Sequence, residues 1–259
     1  VLLSDRMEYL VIGPSSMGLF GFMGSLKRHE EKLKNIKEIS GSSAGAVLGA
    51  CLALEIPLDD VLDKFMNLDI EQLAKYKLRT FFRNYGLVDM DPVRSAIVDI
   101  FGRDVKFGEL KKKLHVSVYN LNRGCTEYFS NDTHPDMHVV DAVCMSMSIP
   151  FIACTVPYNG NIYLDGGTKE DIPLTPFLGK PYHKVLSFKL RLREQYIHKI
   201  SSFHEFISAL LGRALSLRGE IDTSRLCKTI LVSTGEHNLF KFDMSHDDKL
   251  RMFFLGYND

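Results

Sequence analysis

The chemistry of this 259-residue chain is concentrated in a few short stretches of small residues. Residues 41–45 read GSSAG, a G-x-S-x-G pattern centred on Ser43. A serine hydroxyl is presented as a nucleophile by a sharp strand-to-helix turn. Only very small residues fit two positions to either side, here Gly41 and Gly45. The helix that follows points its unsatisfied N–H groups at the same spot, where they favour developing negative charge. The bare pattern arises by chance in about one chain in ten of this length. Its surroundings give it weight, since strand-like KEIS precedes it and helix-like AVLGACLAL follows. A second small-residue stretch, GPSSMG at residues 13–18, lies between a strand and a helix. Backbone N–H groups there could receive an oxyanion. The stretch is not G-x-G-x-x-G, and Leu19 stands where a phosphate-binding P-loop requires lysine. A third stretch, YLDGG at residues 163–167, puts Asp165 at a strand end ahead of Gly166 and Gly167.

Periodicity supplies the elements that must position these residues. Residues 8–12 (EYLVI) read as a buried strand, and residues 19–34 as a helix with Leu19, Phe22, Met23 and Leu26 on one face. Residues 37–40 form a second strand that leads into the serine turn and its apolar helix. The first 54 residues thus alternate strand, helix, strand, helix, which predicts a parallel sheet covered by helices. Further on, residues 58–78 read as largely helical, and residues 91–101 as a helix opened by Asp91-Pro92. Strands are predicted at 115–121, 163–164, 184–190 and 229–233. Helices are predicted at 141–148, ended by Pro150, and at 203–217. With no repeat and no low-complexity linker, residues 1–259 read as a single α/β domain.

Bulk properties narrow the partners. Lys+Arg and Asp+Glu both number 32, so there is no broad electrostatic reason to bind nucleic acid. The five cysteines are odd in number and scattered, with no CxxC pair, which points to a reducing compartment and against a zinc site. No EF-hand loop suggests calcium. No leader is visible, and no apolar run reaches the ~18 residues of a spanning helix. If the chain meets lipid, it does so from outside the bilayer, as a cytoplasmic protein peripheral to membranes. Phe81-Phe82, Phe151-Ile152 and Met252-Phe253-Phe254 are the apolar candidates for it, although such residues are more often core. Lys111-Lys112-Lys113 and the basic residues of 191–193 could meet headgroups, although such runs are usually solvated faces.

Four separated segments, in order, resemble the patatin-like phospholipases: GPSSMG at 13–18, GSSAG at 41–45, AVCMSMSIPFIACTV at 142–156 and YLDGG at 163–167. The resemblance extends from about residue 10 to residue 257. It implies a three-layer α/β/α fold with a mostly parallel central sheet, and hydrolysis of phospholipid or other glycerolipid acyl esters without a cofactor. By motif match it makes Ser43 the nucleophile and Asp165 the base of a Ser–Asp dyad. The oxyanion loop then falls on Gly13, Ser15 and Ser16, since Pro14 has no N–H to give. Pro14, Ser15 and Met17 stand where the family has glycine, glycine and a basic residue, and Asp171 stands near a customary Asn. These departures keep a catalytically silent lipid- or partner-binding member as the rival reading. A Ser–Asp–His triad is the other alternative, because His183 and His198 follow Asp165. Yet only two predicted strands precede Ser43, and His183 falls in a predicted surface loop. Asp89 and Asp91 read as a turn and a helix cap.

Overall fold

The structure is a computed structural model that describes residues 6–191, 196–216 and 222–259. In chain order the elements are β1 (Tyr9–Ile12), α1 (Leu19–Arg28), α2 (Glu30–Leu33), β2 (Glu38–Ser42), α3 (Ala44–Ala53), α4 (Leu58–Asn67), α5 (Ile70–Leu73), α6 (Leu78–Asn84), β3 (Gly86–Val88), α7 (Met90–Phe101), β4 (Lys113–Asn120), β5 (Cys125–Ser130), α8 (Val139–Ser146), β6 (Phe151–Ala153), β7 (Val156–Tyr158), β8 (Asn161–Asp165), β9 (Val185–Leu190), α9 (Phe203–Ser216), β10 (Lys228–Val232) and α10 (His246–Asn258). Strands β10, β9, β1, β2 and β4 pair in that order and all run parallel. Beyond them β5, β8 and β7 join antiparallel. The result is the mostly parallel α/β sheet that the alternating elements predicted.

Burial on both faces explains the apolar runs of the central strands. On β1, Leu10 and Ile12 enter the large core together with Ile39, Val116 and Phe188 and the inner faces of the flanking helices. Val11, between them, faces a smaller cluster with Ile172, Leu174, Phe177, Val185 and Cys227. Helix α3 is buried on nearly every side, which its Ala- and Gly-rich sequence permits. Helices α1 and α10 cross closely: a Cβ on Gly24 would lie 1.9 Å from the Phe253 carbonyl oxygen.

Several boundaries differ from the periodic pattern for local reasons. The predicted helix over 19–34 breaks at His29, giving α1 and α2. The predicted helix over 58–78 becomes α4 and α5, because the Asp69 side chain caps a new start by accepting from the Gln72 amide. Asp89 does the same for α7, accepting from the Asp91 amide. Strand β2 runs two residues further than expected, into Gly41 and Ser42. The predicted helix over 203–217 is present as α9, its last expected residue lying outside the described ones.

Burial also sets thiol chemistry. Cys51 and Cys144 are buried, and desolvation pushes their thiols up to about 12, whereas Cys125 is exposed. The thiolate is the reactive form, so the buried pair should alkylate roughly 10³-fold more slowly than an ordinary thiol. Mass-spectrometric mapping of brief iodoacetamide treatment at pH 8 should find Cys125 labelled first, with Cys51 and Cys144 labelled only after denaturation.

Candidate functional site

The site is set by a seam along one edge of β4. Strand β2 pairs with residues 113–117, ending with Ser42 opposite Ser117. Strand β8 runs antiparallel and pairs with residues 120 down to 118, ending with Asp165 opposite Val118. Strand β5 covers residues 115–120 and overlaps both partners, so it must lie on the other edge. Strands β2 and β8 therefore share one edge and converge head-on, with their last residues opposite neighbouring positions of β4. Neighbouring strand positions are about 3.3 Å apart. The residue after Ser42 is Ser43, so the seam brings Ser43 and Asp165 together.

Each side of the seam is shaped by glycine. Ser43 holds φ 56° and ψ −129°, a conformation an L-residue adopts only under constraint. A Cβ on Gly41 would lie 2.6 Å from the Gly45 carbonyl oxygen, and one on Gly45 would lie 2.4 Å from that of Gly13. On the other side, a Cβ on Gly166 would meet the Ser117 carbonyl oxygen at 2.5 Å, and one on Gly167 would meet the Pro14 side chain at 2.9 Å. The serine turn, the first loop and the DGG turn thus interlock through positions where no side chain fits.

Two serines that sequence reasoning left without a role close the seam. Ser146 Oγ donates to the Ser117 carbonyl at 2.6 Å and accepts from the Ser43 amide at 2.8 Å. It satisfies the β4 carbonyl just where β2 ends. The Asp165 amide donates to the Ser148 carbonyl at 3.0 Å, and Asp165 Oδ1 accepts from the Gly167 amide at 2.7 Å. The S-x-S spacing at residues 146–148 was the available signal. Behind the DGG turn, the Glu170 amide donates to the Gly166 carbonyl, and its carboxylate accepts from the Tyr128 hydroxyl and, at 3.1 Å, from Thr175 Oγ1. Burial and that carboxylate hold the Tyr128 phenol far above its ordinary range. Asp171 is ion-paired with Lys189 of β9.

In the first loop, the Gly13 amide donates to the Phe188 carbonyl at 3.0 Å, continuing the β1–β9 ladder. The Ser15 and Ser16 amides have no acceptor among the described residues. Ser16, at φ 46°, is held by its hydroxyl and the Met17 amide, both donating to the Leu239 carbonyl. Ser43 and Asp165 are buried, 3% and 5% exposed. Beside Ser43 opens a cavity of about 130 Å³. Only Ser43 and Ser16 among its lining residues carry a polar side chain; the rest include Met17, Phe65, Ile97, Ile100, Ile152 and Phe242. His183 precedes β9, at the end of the sheet opposite Ser43, and His198 is exposed against Tyr196. The apolar candidates divide: Ile152 and Met252 are core, whereas Phe82, Phe151 and Phe254 are exposed.

Fold and site together define an α/β protein with a strained serine turn beside an apolar cavity. The chain belongs to the patatin-like phospholipase family, whose sequence profile matches residues 18–178. It is 31% identical over 176 residues to the uncharacterized protein R571 of Acanthamoeba polyphaga mimivirus, covering 63% of this chain and 59% of that one. It is 22% identical over 253 residues to the probable lipid hydrolase 463L of invertebrate iridescent virus 6, covering 88% and 86%. The crystal structure of VipD from Legionella pneumophila superposes with a TM-score of 0.61 at 17% identity, over 98% of this chain and 66% of VipD. That likeness is one of fold. The family membership supports a lipid hydrolase activity.

Replacing Ser146 by Ala would leave the Ser43 amide and the Ser117 carbonyl buried without their partner, at a cost of roughly 1–3 kcal/mol. Thermal denaturation should register that loss. Fluorophosphonate labelling at Ser43 should slow beyond what the fraction of unfolded protein explains, because the turn loses its anchor.

Proposed function

We propose that the protein hydrolyses fatty-acyl esters of phospholipids or other glycerolipids through a Ser43–Asp165 dyad and an acyl-enzyme. The observation that carries this reading is the head-on convergence of β2 and β8, beside an apolar cavity that Ser43 lines. Asp165 takes the Ser43 proton as the hydroxyl oxygen attacks the ester carbonyl. The resulting oxyanion is received by the Ser15 and Ser16 amides and by the free amides at the start of α3. Collapse expels the alcohol, which takes up the proton held by Asp165, and leaves an acyl group on Ser43. Water, activated by Asp165, then attacks the acyl carbonyl and releases the fatty acid. Gly13 acts in this scheme through shape, since its amide is engaged by Phe188.

The cavity supports an acyl chain as the group bound beside Ser43. An apolar, water-excluding wall offers nothing to a polar substrate and favours each methylene by about 0.8 kcal/mol. The 463L protein is named a probable lipid hydrolase, which fits the same substrate class. The enzyme is expected to work as a peripheral protein on the cytoplasmic side of a membrane, and no described helix is long and apolar enough to cross one.

The test is fluorophosphonate labelling beside fatty-acid release from phospholipid vesicles. Wild type should label and release. Ser43→Ala should do neither, and Asp165→Asn should slow both by about 10²–10⁴-fold, the range of a lost general base. A folded wild type that neither labels nor releases would overturn the reading in favour of a silent lipid-binding member.

A further inference from the structure

One exposed apolar region is unused by the core and lies on the outside of the cavity wall. Helix α6 holds Leu78 and Phe82 out, 71% and 83% exposed. Phe81 packs edge-on against Phe82 and, at 6.1 Å, against Phe203 of α9. Phe206, one turn further along α9, is exposed as well. On the other flank Tyr85 follows α6, and Phe151 lies beside it in register with Gly86. Three separate segments thus expose six large apolar side chains side by side.

The charge around them is mostly positive. Residues 74–88 contain Lys75, Lys77, Arg79 and Arg83 and no Asp or Glu. Lys77 pairs with Asp89, whereas Lys75, Arg79 and Arg83 are exposed and have no carboxylate partner among the described residues. Lys199 adds an exposed cation ahead of α9, whose first turn carries the acidic Glu205.

Phe151 is an independent sign. Residues 149–152 form a turn closed by the Ile152 amide donating to the Ile149 carbonyl at 3.1 Å, with Pro150 second and Phe151 third. Phe151 has φ 66°, at the position where such turns favour glycine. A bulky residue holds glycine's conformation while its ring stays half outside the fold. Its neighbour Ile152 is buried and lines the cavity with Val88, and Ile207 of α9 belongs to the same buried cluster.

We propose that this face, formed by α6, the 149–152 turn and the start of α9, docks the protein onto a bilayer of anionic lipid. Exposed rings and aliphatic tips set among unpaired cations are the composition that seats a segment at the headgroup–acyl boundary. A nucleic acid would engage the cations but leave Leu78 and Phe151 unused. Docking here sets the cavity wall itself against the lipid. The proposal rests on the acyl-hydrolase reading for its purpose, but docking is read on Ser43→Ala protein, so its outcome does not depend on turnover.

The experiment is co-sedimentation of Ser43→Ala protein with phosphatidylcholine vesicles with and without phosphatidylserine. Binding should require phosphatidylserine and weaken as salt rises. Adding Arg79→Gln and Arg83→Gln should weaken it about five-fold each, and Phe82→Ser and Phe206→Ser about ten-fold each. Phe151→Gly should weaken binding while leaving Tm unchanged or higher, a result that a packing role for the ring would reverse. Equal binding to neutral vesicles, unaltered binding of the ring variants, or a dimer in sedimentation velocity that those variants dissolve would each overturn the proposal, the last by assigning the face to a second copy of the chain.

Discussion

The molecule depends on a carbonyl that two strands contest. Where β2 and β8 both end, the edge of β4 must change partners without leaving a polar group bare, because a buried unpaired carbonyl costs about as much as a lost hydrogen bond. Ser146 resolves this by donating to the Ser117 carbonyl and accepting from the Ser43 amide. One hydroxyl therefore completes the sheet and fixes the turn that carries Ser43. The proximity of Ser43 and Asp165 follows from strand register, which packing on both faces of the sheet makes hard to slip.

The glycines of the serine turn and the DGG turn are explained by the same seam. None of Gly41, Gly45, Gly166 and Gly167 has a positive φ. They are glycine because backbone, or for Gly167 the Asp165 and Pro14 side chains, approaches so closely that a Cβ would fall 2.4 to 2.9 Å from its neighbours. The residue with the unusual backbone is Ser43, which carries a side chain in a conformation that glycine would take more readily. Close packing around it holds that strain in place.

Much of this was legible in the sequence, and the remainder was not for identifiable reasons. The β1 and β2 runs and α3 stood out because burial on both faces makes an apolar run continuous. The GSSAG and YLDGG stretches stood out because steric limits leave few residue choices. Strand β5 escaped notice because CTEYFS lies at the polar margin of the sheet, and β3 and β6 because three residues carry no period. Ser146 was visible only as part of a motif, since its role depends on where β2 ends, a fact of register that no local pattern encodes. The apolar dipeptides could not be sorted into core and surface from spacing alone. Phe151 and Ile152 are adjacent, yet one is half exposed and the other buried, because a turn separates them.

The first loop shows how serine and proline can be held where glycine is usual. Glycine is useful there for its backbone freedom, but a serine can hold the same conformation if something else stabilises it. Ser16 does so at φ 46° through the Leu239 carbonyl, which accepts from its hydroxyl and from the Met17 amide. Pro14 fills the space that Gly167 leaves open, so the proline and the DGG turn fit each other. Met17, where a basic residue is usual, is buried and lines the cavity beside Ser43. A cation there would have to be desolvated against an apolar wall, whereas methionine adapts to it without an unpaired charge. The substitutions thus trade a charge for apolar lining while the Ser15 and Ser16 amides stay without an acceptor among the described residues, in the loop that borders the cavity beside Ser43.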